Sequence, residues 1–307
     1  MVISKNIGIF QGVIIDTVIS ENILINKVPY KNSDPMDREI NIYTKIIEEN
    51  LHIDFDYCGI ISKSFEAKTG LDLYSIKKII TEEKSDIYIF SPHQYEQKVW
   101  QSIWDQTYIF HEKSISLIQE SLNALDYPQL TINDLYETPW CFSHCWFAKT
   151  EIFADIAKDL ILINKEMKKN LLNQNKVPNY KALAVASDGE IKRDYILRPF
   201  AIERIVGYLI KKKLEKNNKL FTYKDPRKVQ ESMHPHLKIL NKSYLKIIKE
   251  KSKNSSMYFF ENNERSKLYS ELIFTKNIRD SISKYCDTEF TIERLNNLIN
   301  AEYFINS

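Results

Sequence analysis

Glycine is scarce: the 307-residue chain carries six, at Gly8, Gly12, Gly59, Gly70, Gly189 and Gly207. No two are spaced to make GxGxxG, and none stands in GxxxxGK[ST], so a Rossmann dinucleotide fingerprint and a Walker A loop are both excluded. Any nucleotide bound here is held by side chains, or by backbone amides in another arrangement. Cysteine is scarce as well. Cys58, Cys141, Cys145 and Cys286 are the four present, too few for a disulfide framework in a chain of this length. No secretory leader opens the sequence, and a reducing, cytoplasmic compartment is expected. Apolar runs such as 7–15 and 156–163 are short or carry charges, below the roughly 18 residues that a spanning helix needs. A dominant charge is also missing: 43 Lys+Arg against 41 Asp+Glu leave a formal net charge of +2. No nucleic-acid partner is expected from so balanced a chain, and any basic character is local.

What is present is enough apolar material, 43% of residues, for one large domain or two. Residues 5–18 are β-branched and nearly uncharged, which suits a strand, and 23–28 is a second short apolar run. Ile40, Tyr43, Ile46, Ile47 and Leu51 recur at helical spacing. Residues 57–62 read as a buried strand, Thr69-Gly70 ends a short segment, and Asp72 or Ser75 can cap a helix through Ile76, Ile79 and Ile80. Asp86 to Phe90 is a compact strand ended by Ser91-Pro92. This alternation predicts an α/β layer architecture with a largely parallel sheet. Ligands of such sheets lie beyond the carboxyl ends of the strands, which singles out Ser62 to Lys68 and Ser91 to Tyr95, with His93 in the exit loop.

Further on, residues 117–125 and 151–168 read as amphipathic helices, the second entered from Thr150. Between them the dense aromatic stretch 140–148 predicts a buried strand. Pro199 can occupy the first turn of a helix through Ile202, Ile205, Val206 and Ile210. From about residue 219 the chain is Lys/Asn-rich and reads as helical. The expected division is an α/β domain over 1–215 and a helical C-terminal region over 216–307. Lys-rich segments such as Lys211-Lys212-Lys213 and 246–253 are a candidate surface for anionic lipid.

Each chemical constellation has a plainer counterpart. Cys141, His144 and Cys145 suggest half a zinc site, but the other close His pair, His234 and His236, lies about ninety residues away with no cysteine near it, and on a strand the two thiols face away from His144. Buried free thiols are the better reading, and His144 is either a satisfied core histidine or a polar group facing a cleft. No GxSxG or supported Cys/His signature is present, so acyl-transfer hydrolysis is not expected. Asp54-Phe55-Asp56 precedes its strand instead of following it, which favours loop residues over metal ligands. Lys63 and Lys68, among the hydroxyls of Ser62, Ser64 and Thr69, can neutralise a diphosphate without a glycine loop; the plain alternative is a solvated loop. Arg198, Glu203 and Arg204 surround a helix start, either as an anion site or as a capping ion pair. Trp100, Trp104, Tyr108, Trp140 and Trp146 could stack on sugar rings or simply fill a core.

Five blocks together resemble glycosyltransferase-like proteins of bacterial surface-polysaccharide (capsule and O-antigen) clusters. They are Asp37-Arg38-Glu39, the run 57–70, Asp86 to Pro92, Phe142 to Lys149, and Pro199 to Arg204, in matching order over roughly residues 35–210. The resemblance implies a GT-A-like α/β domain that transfers a sugar from a nucleotide-sugar donor to a surface-glycan or lipid-linked acceptor. The contact with the inner face of the membrane would be peripheral. It implies Mn²⁺ or Mg²⁺ as cofactor, with Asp86 as the single matching ligand, because the strand that corresponds to D-x-D reads Asp86-Ile87-Tyr88. Candidate donor-binding residues are then Arg38, Ser62, Lys63, Lys68, Asp86, His93, Arg198 and Arg204. An inverting transfer needs a general base, for which Glu203, Asp188 and His144 are the candidates. A non-catalytic scaffold with basic C-terminal helices, and a sugar-phosphate hydrolase, are the alternatives.

Overall fold

The computed structural model describes residues 5–14, 24–30, 36–92, 102–111, 113–131, 134, 137–173, 181–185 and 191–223. His93, Trp100, Asp188, the His234/His236 pair, Cys286 and the Lys-rich segments beyond residue 223 lie outside these. Eight strands and seven helices follow one another in the described residues: β1 (Ile7–Ile14), β2 (Asn26–Tyr30), α1 (Glu39–Glu48), β3 (Tyr57–Ile60), α2 (Phe65–Thr69), α3 (Leu73–Glu82), β4 (Ile87–Ile89), α4 (Ile103–His111), α5 (Lys113–Asn123), β5 (Trp146–Lys149), α6 (Thr150–Asn173), β6 (Lys181–Val185), β7 (Ile191–Ile196), α7 (Arg198–Leu214) and β8 (Leu220–Thr222). Six strands form one sheet in the order β2-β1-β3-β5-β4-β8, and β6 and β7 form a separate antiparallel pair. Within the large sheet β1 is parallel to β2 and β3, and β4 to β8, while β5 runs antiparallel to both its neighbours.

The period-2 pleat sorts the apolar side chains into two cores. Phe10, Val28, Cys58, Ile60, Ile87, Ile89, Trp146 and Ala148 face one core, shared with α1, α4, α5, α6 and α7. Ile7, Ile9, Tyr57, Ile61, Tyr88, Phe90 and Phe147 face the other, closed by α2 and α3. Helices therefore cover both faces, and the chain is a three-layer α/β structure with a mostly parallel sheet. Local chemistry sets the element ends. Gly70, at φ 70°, closes α2 in the left-handed region, where a Cβ would be strained. Asp72 caps α3 by accepting from the Ser75 amide at 2.7 Å, and a proline stands in the first turn of α7.

One expectation changes. The stretch 140–148 is not one strand: β5 starts only at Trp146, because the chain turns at Ser143 and His144, both in the left-handed region at φ 57° and 52°. The alternation that put Cys141 and Cys145 on one side therefore does not apply, although both are buried free thiols together with Cys58. At the other end of the sheet β8 pairs with β4 as the edge strand. There Lys219 O accepts from the Ile87 amide at 3.0 Å, and the Tyr223 amide donates to Ile89 O at 2.9 Å. Among the described residues no helix is long and apolar enough to cross a membrane.

Candidate functional site

Because β5 is reversed, its amino end meets the carboxyl ends of β3 and β4, and the loop before it delivers Ser143 and His144 to the sheet edge where α/β proteins hold ligands. Side chains already meet there. Lys27 Nζ donates to Gln11 Oε1 at 2.6 Å, and Gln11 Nε2 to Ser62 O at 3.3 Å. Ser62 and Ser64 hydroxyls lie 3.3 Å apart. Lys68, on α2, reaches across the edge to Ser143 Oγ at 3.5 Å. Ser91, at the carboxyl end of β4, is 1% exposed, and its hydroxyl has no hydrogen-bond partner. It follows Phe90, whose amide donates to Cys145 O at 2.8 Å.

A left-handed conformation costs an ordinary residue about 1–2 kcal/mol, so two in succession need external support. The Ser143 amide donates to Glu203 Oε1 on α7. His144 Nδ1 is 3.2 Å from the Tyr43 hydroxyl, which also accepts from Trp146 Nε1 at 2.9 Å. The Trp146 amide returns to His144 O at 3.0 Å. His144 is thus a buried histidine satisfied by Tyr43, the first of the two alternatives. The thiols beside it are inert by burial, which pushes Cys145 up to about 12 and raises Cys141 well above its ordinary value.

The two arginines are committed inward. Arg198, 4% exposed, pairs with Asp37 and donates to Asn164 Oδ1 at 2.9 Å. Asp37 accepts in addition from Asn164 Nδ2 at 2.9 Å and from Lys168. Arg204 pairs with Glu203 Oε2 at 2.5 Å and donates to Gln106 Oε1 at 2.9 Å and Thr107 Oγ1 at 3.1 Å. Both arginines therefore bind protein carboxylates in the structure. Lys63 and Arg38 are exposed, and Arg38 enters α1 with φ 35°.

Asp86 stands apart. It opens β4 at the opposite sheet edge, where its carboxylate takes Lys149 Nζ at 2.7 Å and the Lys219 amide at 2.7 Å. Partial desolvation works against ionisation there, but those two hydrogen bonds prevail and hold its pKa below the ordinary value. Asp54 and Asp56 lie in the loop before β3, as expected, and Asp56 accepts from the Asn6 amide at 2.7 Å. Asp56 also lines an open groove of about 520 Å³ at that edge with Lys5, Tyr57, Lys149 and Glu151. Trp104, Tyr108 and Trp146 are core side chains. Among the described residues no group of three or more His, Cys, Asp or Glu is placed to hold a metal ion. The lysine triplet is neutralised: Lys211 binds Asp134 at 2.7 Å, Lys212 binds Glu215 at 3.1 Å, and Lys213 binds Asp155 at 3.1 Å.

No local spacing marks Ser143, Gln11, Lys27, Asp37 or Lys168 for a role. Ser143 and Asp37 lie within the resembling blocks, but their partners Glu203 and Arg198 are 60 and 161 residues away, beyond any local spacing rule. Asn164 did leave a signal, as a polar residue on the apolar stripe of Leu160, Ile163 and Met167. No protein-family model matches the sequence, and no curated protein sequence matches it. Among solved structures the chain is similar to WbbM, a bifunctional glycosyltransferase in its apo form, with a TM-score of 0.46 and 11% identity over 71% of this chain. The chain spans 44% of that protein's length, and a likeness at this level bears on neither the fold nor the activity of this chain.

Proposed function

We propose that the protein is a glycosyltransferase that moves a sugar from a nucleotide-sugar donor to a surface-glycan or lipid-linked acceptor. The observation that carries this reading is the set of groups at the carboxyl edge of the parallel strands: Lys68 against the Ser143 hydroxyl, and the paired Ser62 and Ser64 hydroxyls in the loop before α2. A compact ammonium among hydroxyl donors suits a diphosphate. In a transfer it would stabilise the charge that grows on the leaving diphosphate, with the exposed Lys63 close along the chain. The order of the resembling blocks supports the same reading.

Three of the described carboxylates are engaged by protein partners in a way that does not suit a divalent cation at this edge. Asp37 is bound by Arg198 and Lys168, Glu203 by Arg204 and the Ser143 amide, and Asp86 lies at the other edge. No step is therefore routed through Mn²⁺ or Mg²⁺. Of the three base candidates, Asp188 is outside the described residues, while His144 and Glu203 are both occupied by protein partners.

The test is a thermal-shift screen of the full chain against nucleoside diphosphates and nucleotide sugars, each with and without Mn²⁺ or Mg²⁺. Ligand at about 100 times its Kd stabilises by about 2.7 kcal/mol, a rise of several degrees for a chain of this size. A selective rise for one base, lost in Lys68→Met, is the expected result. No rise with any nucleotide, alongside salt-sensitive binding of polyanions, would overturn the transferase in favour of a scaffold.

A further inference from the structure

Glu203 is one of three candidates for the general base, yet its surroundings describe a different task. One carboxylate oxygen accepts from the Ser143 amide and the other from Arg204 at 2.5 Å. Arg204 cannot drift, because Gln106, Thr107 and Phe200 O take its other donors and its guanidinium lies 4.9 Å over the Phe142 ring. Phe200 is in turn stacked on His111 at 4.3 Å. This rigid assembly ends on one backbone amide, that of the first left-handed residue of the turn. The turn in its turn sets the Ser143 hydroxyl against Lys68.

We propose that Glu203 is a positioning residue: it holds the Ser143–His144 turn in its left-handed form, so that Ser143 and Lys68 together present a phosphate-binding pair. The proposal rests on the transferase reading for the identity of the ligand, and on geometry alone for the role of Glu203. Charge supports it. An ionised carboxylate beneath a phosphate site would repel the ligand, but Arg204 cancels that charge locally and leaves Lys68 to set the sign. The resembling blocks include both halves of the device, Phe142 to Lys149 and Pro199 to Arg204, without indicating that they touch.

Full-length wild type, Glu203→Gln and Glu203→Ala separate a holder from a proton acceptor. The readouts are the Kd for the nucleoside diphosphate that stabilises wild type, nucleotide-sugar turnover, and amide exchange of a peptide spanning residues 141–146. Glutamine Oε1 still accepts from the Ser143 amide while its Nε2 faces Arg204, so Glu203→Gln should lower the thermal midpoint yet keep the 141–146 exchange and the Kd closer to wild type than alanine does. Glu203→Ala should weaken binding about tenfold or more and speed exchange. If both variants bind as wild type does while turnover falls in both by about a hundredfold, the range of general-base catalysis, the proposal is overturned. If wild type binds no nucleoside diphosphate, the transferase reading fails and exchange alone decides. Faster exchange in alanine than in glutamine then upholds the positioning role, and equal exchange in all three overturns it. Should the alanine variant not fold, Glu203→Asp replaces it: one methylene too short for the amide, it should follow the alanine pattern, and wild-type exchange in it counts against the proposal.

Discussion

At the scale of single residues, the useful distinction is between charges that face the protein and charges that face the edge of the sheet. Arg198 and Arg204 spend donors on Asp37 and Glu203, whereas Lys68 donates to the Ser143 hydroxyl at the sheet edge. Lys68→Met should therefore abolish nucleotide stabilisation while leaving the unfolding free energy of the unliganded protein within about 0.5 kcal/mol of wild type, as for most substitutions outside the core. Cysteine reactivity follows from burial in the same way. Burial pushes Cys58 up to about 11 and Cys145 up to about 12, so almost no thiolate forms at neutral pH. Mass spectrometry after iodoacetamide treatment of the folded protein should find Cys58, Cys141 and Cys145 unmodified, and all three alkylated in denaturant.

Elements are where the sequence was most legible. The helices starting at Glu39, Leu73 and Thr150 and the strands at Tyr57 and Ile87 follow from hydrophobic period, the Asp72 cap and the Gly70 stop. These signals are local, and so is their physics. What stayed hidden depends on distant pairing: nothing near Trp146 says that β5 will be reversed between β3 and β4, and nothing near Ser143 announces a left-handed turn whose support comes from Glu203. Gly59 shows how tightly that reversed strand is fitted. A Cβ there would lie 2.4 Å from the Phe147 ring and 2.5 Å from Trp146 O, so Gly59→Ala should cost about 1–3 kcal/mol in denaturant unfolding, the range for overpacking. The Asp37 cluster joins the entry of α1 to α6 and α7, over 127 and 161 residues of sequence. Removing one partner of a buried pair costs about 3–5 kcal/mol. Asp37→Ala should therefore lower stability by that amount, while the double variant with Arg198→Met should recover part of it, which a double-mutant cycle will measure.

For the molecule as a whole, buried titratable groups set both ends of the stability profile. Burial, with the nearby Arg204, pushes His111 well below its ordinary 6.5, so the fold excludes a proton that the unfolded chain takes up. That stability is present above about pH 6.5 and is lost as the pH falls below it. On the alkaline side Cys58 and Tyr88 are pushed by burial up to about 11 and about 12. Their contribution is intact below the ordinary values of 9.0 and 10.0 and disappears as the pH rises through the folded ones. The thermal midpoint should accordingly hold a plateau between about pH 6.5 and 9 and fall on either side. His111→Gln should flatten the acid limb from about pH 6.5 down to the carboxylate range, where Asp86 still acts, and leave the alkaline limb unchanged.

The reversed central strand also governs when the sheet can close. Tyr57 to Ile60 pair with residues 146–149, a separation of about 90 residues, which a ribosome adding about 5–20 residues per second bridges in about 5–20 s. Throughout that interval the nascent β1-β3 ribbon keeps one unpaired flank with apolar side chains on both faces. The window for chaperone capture during synthesis, or for mispairing between neighbouring nascent chains, is thus written into the position of Trp146 in the gene.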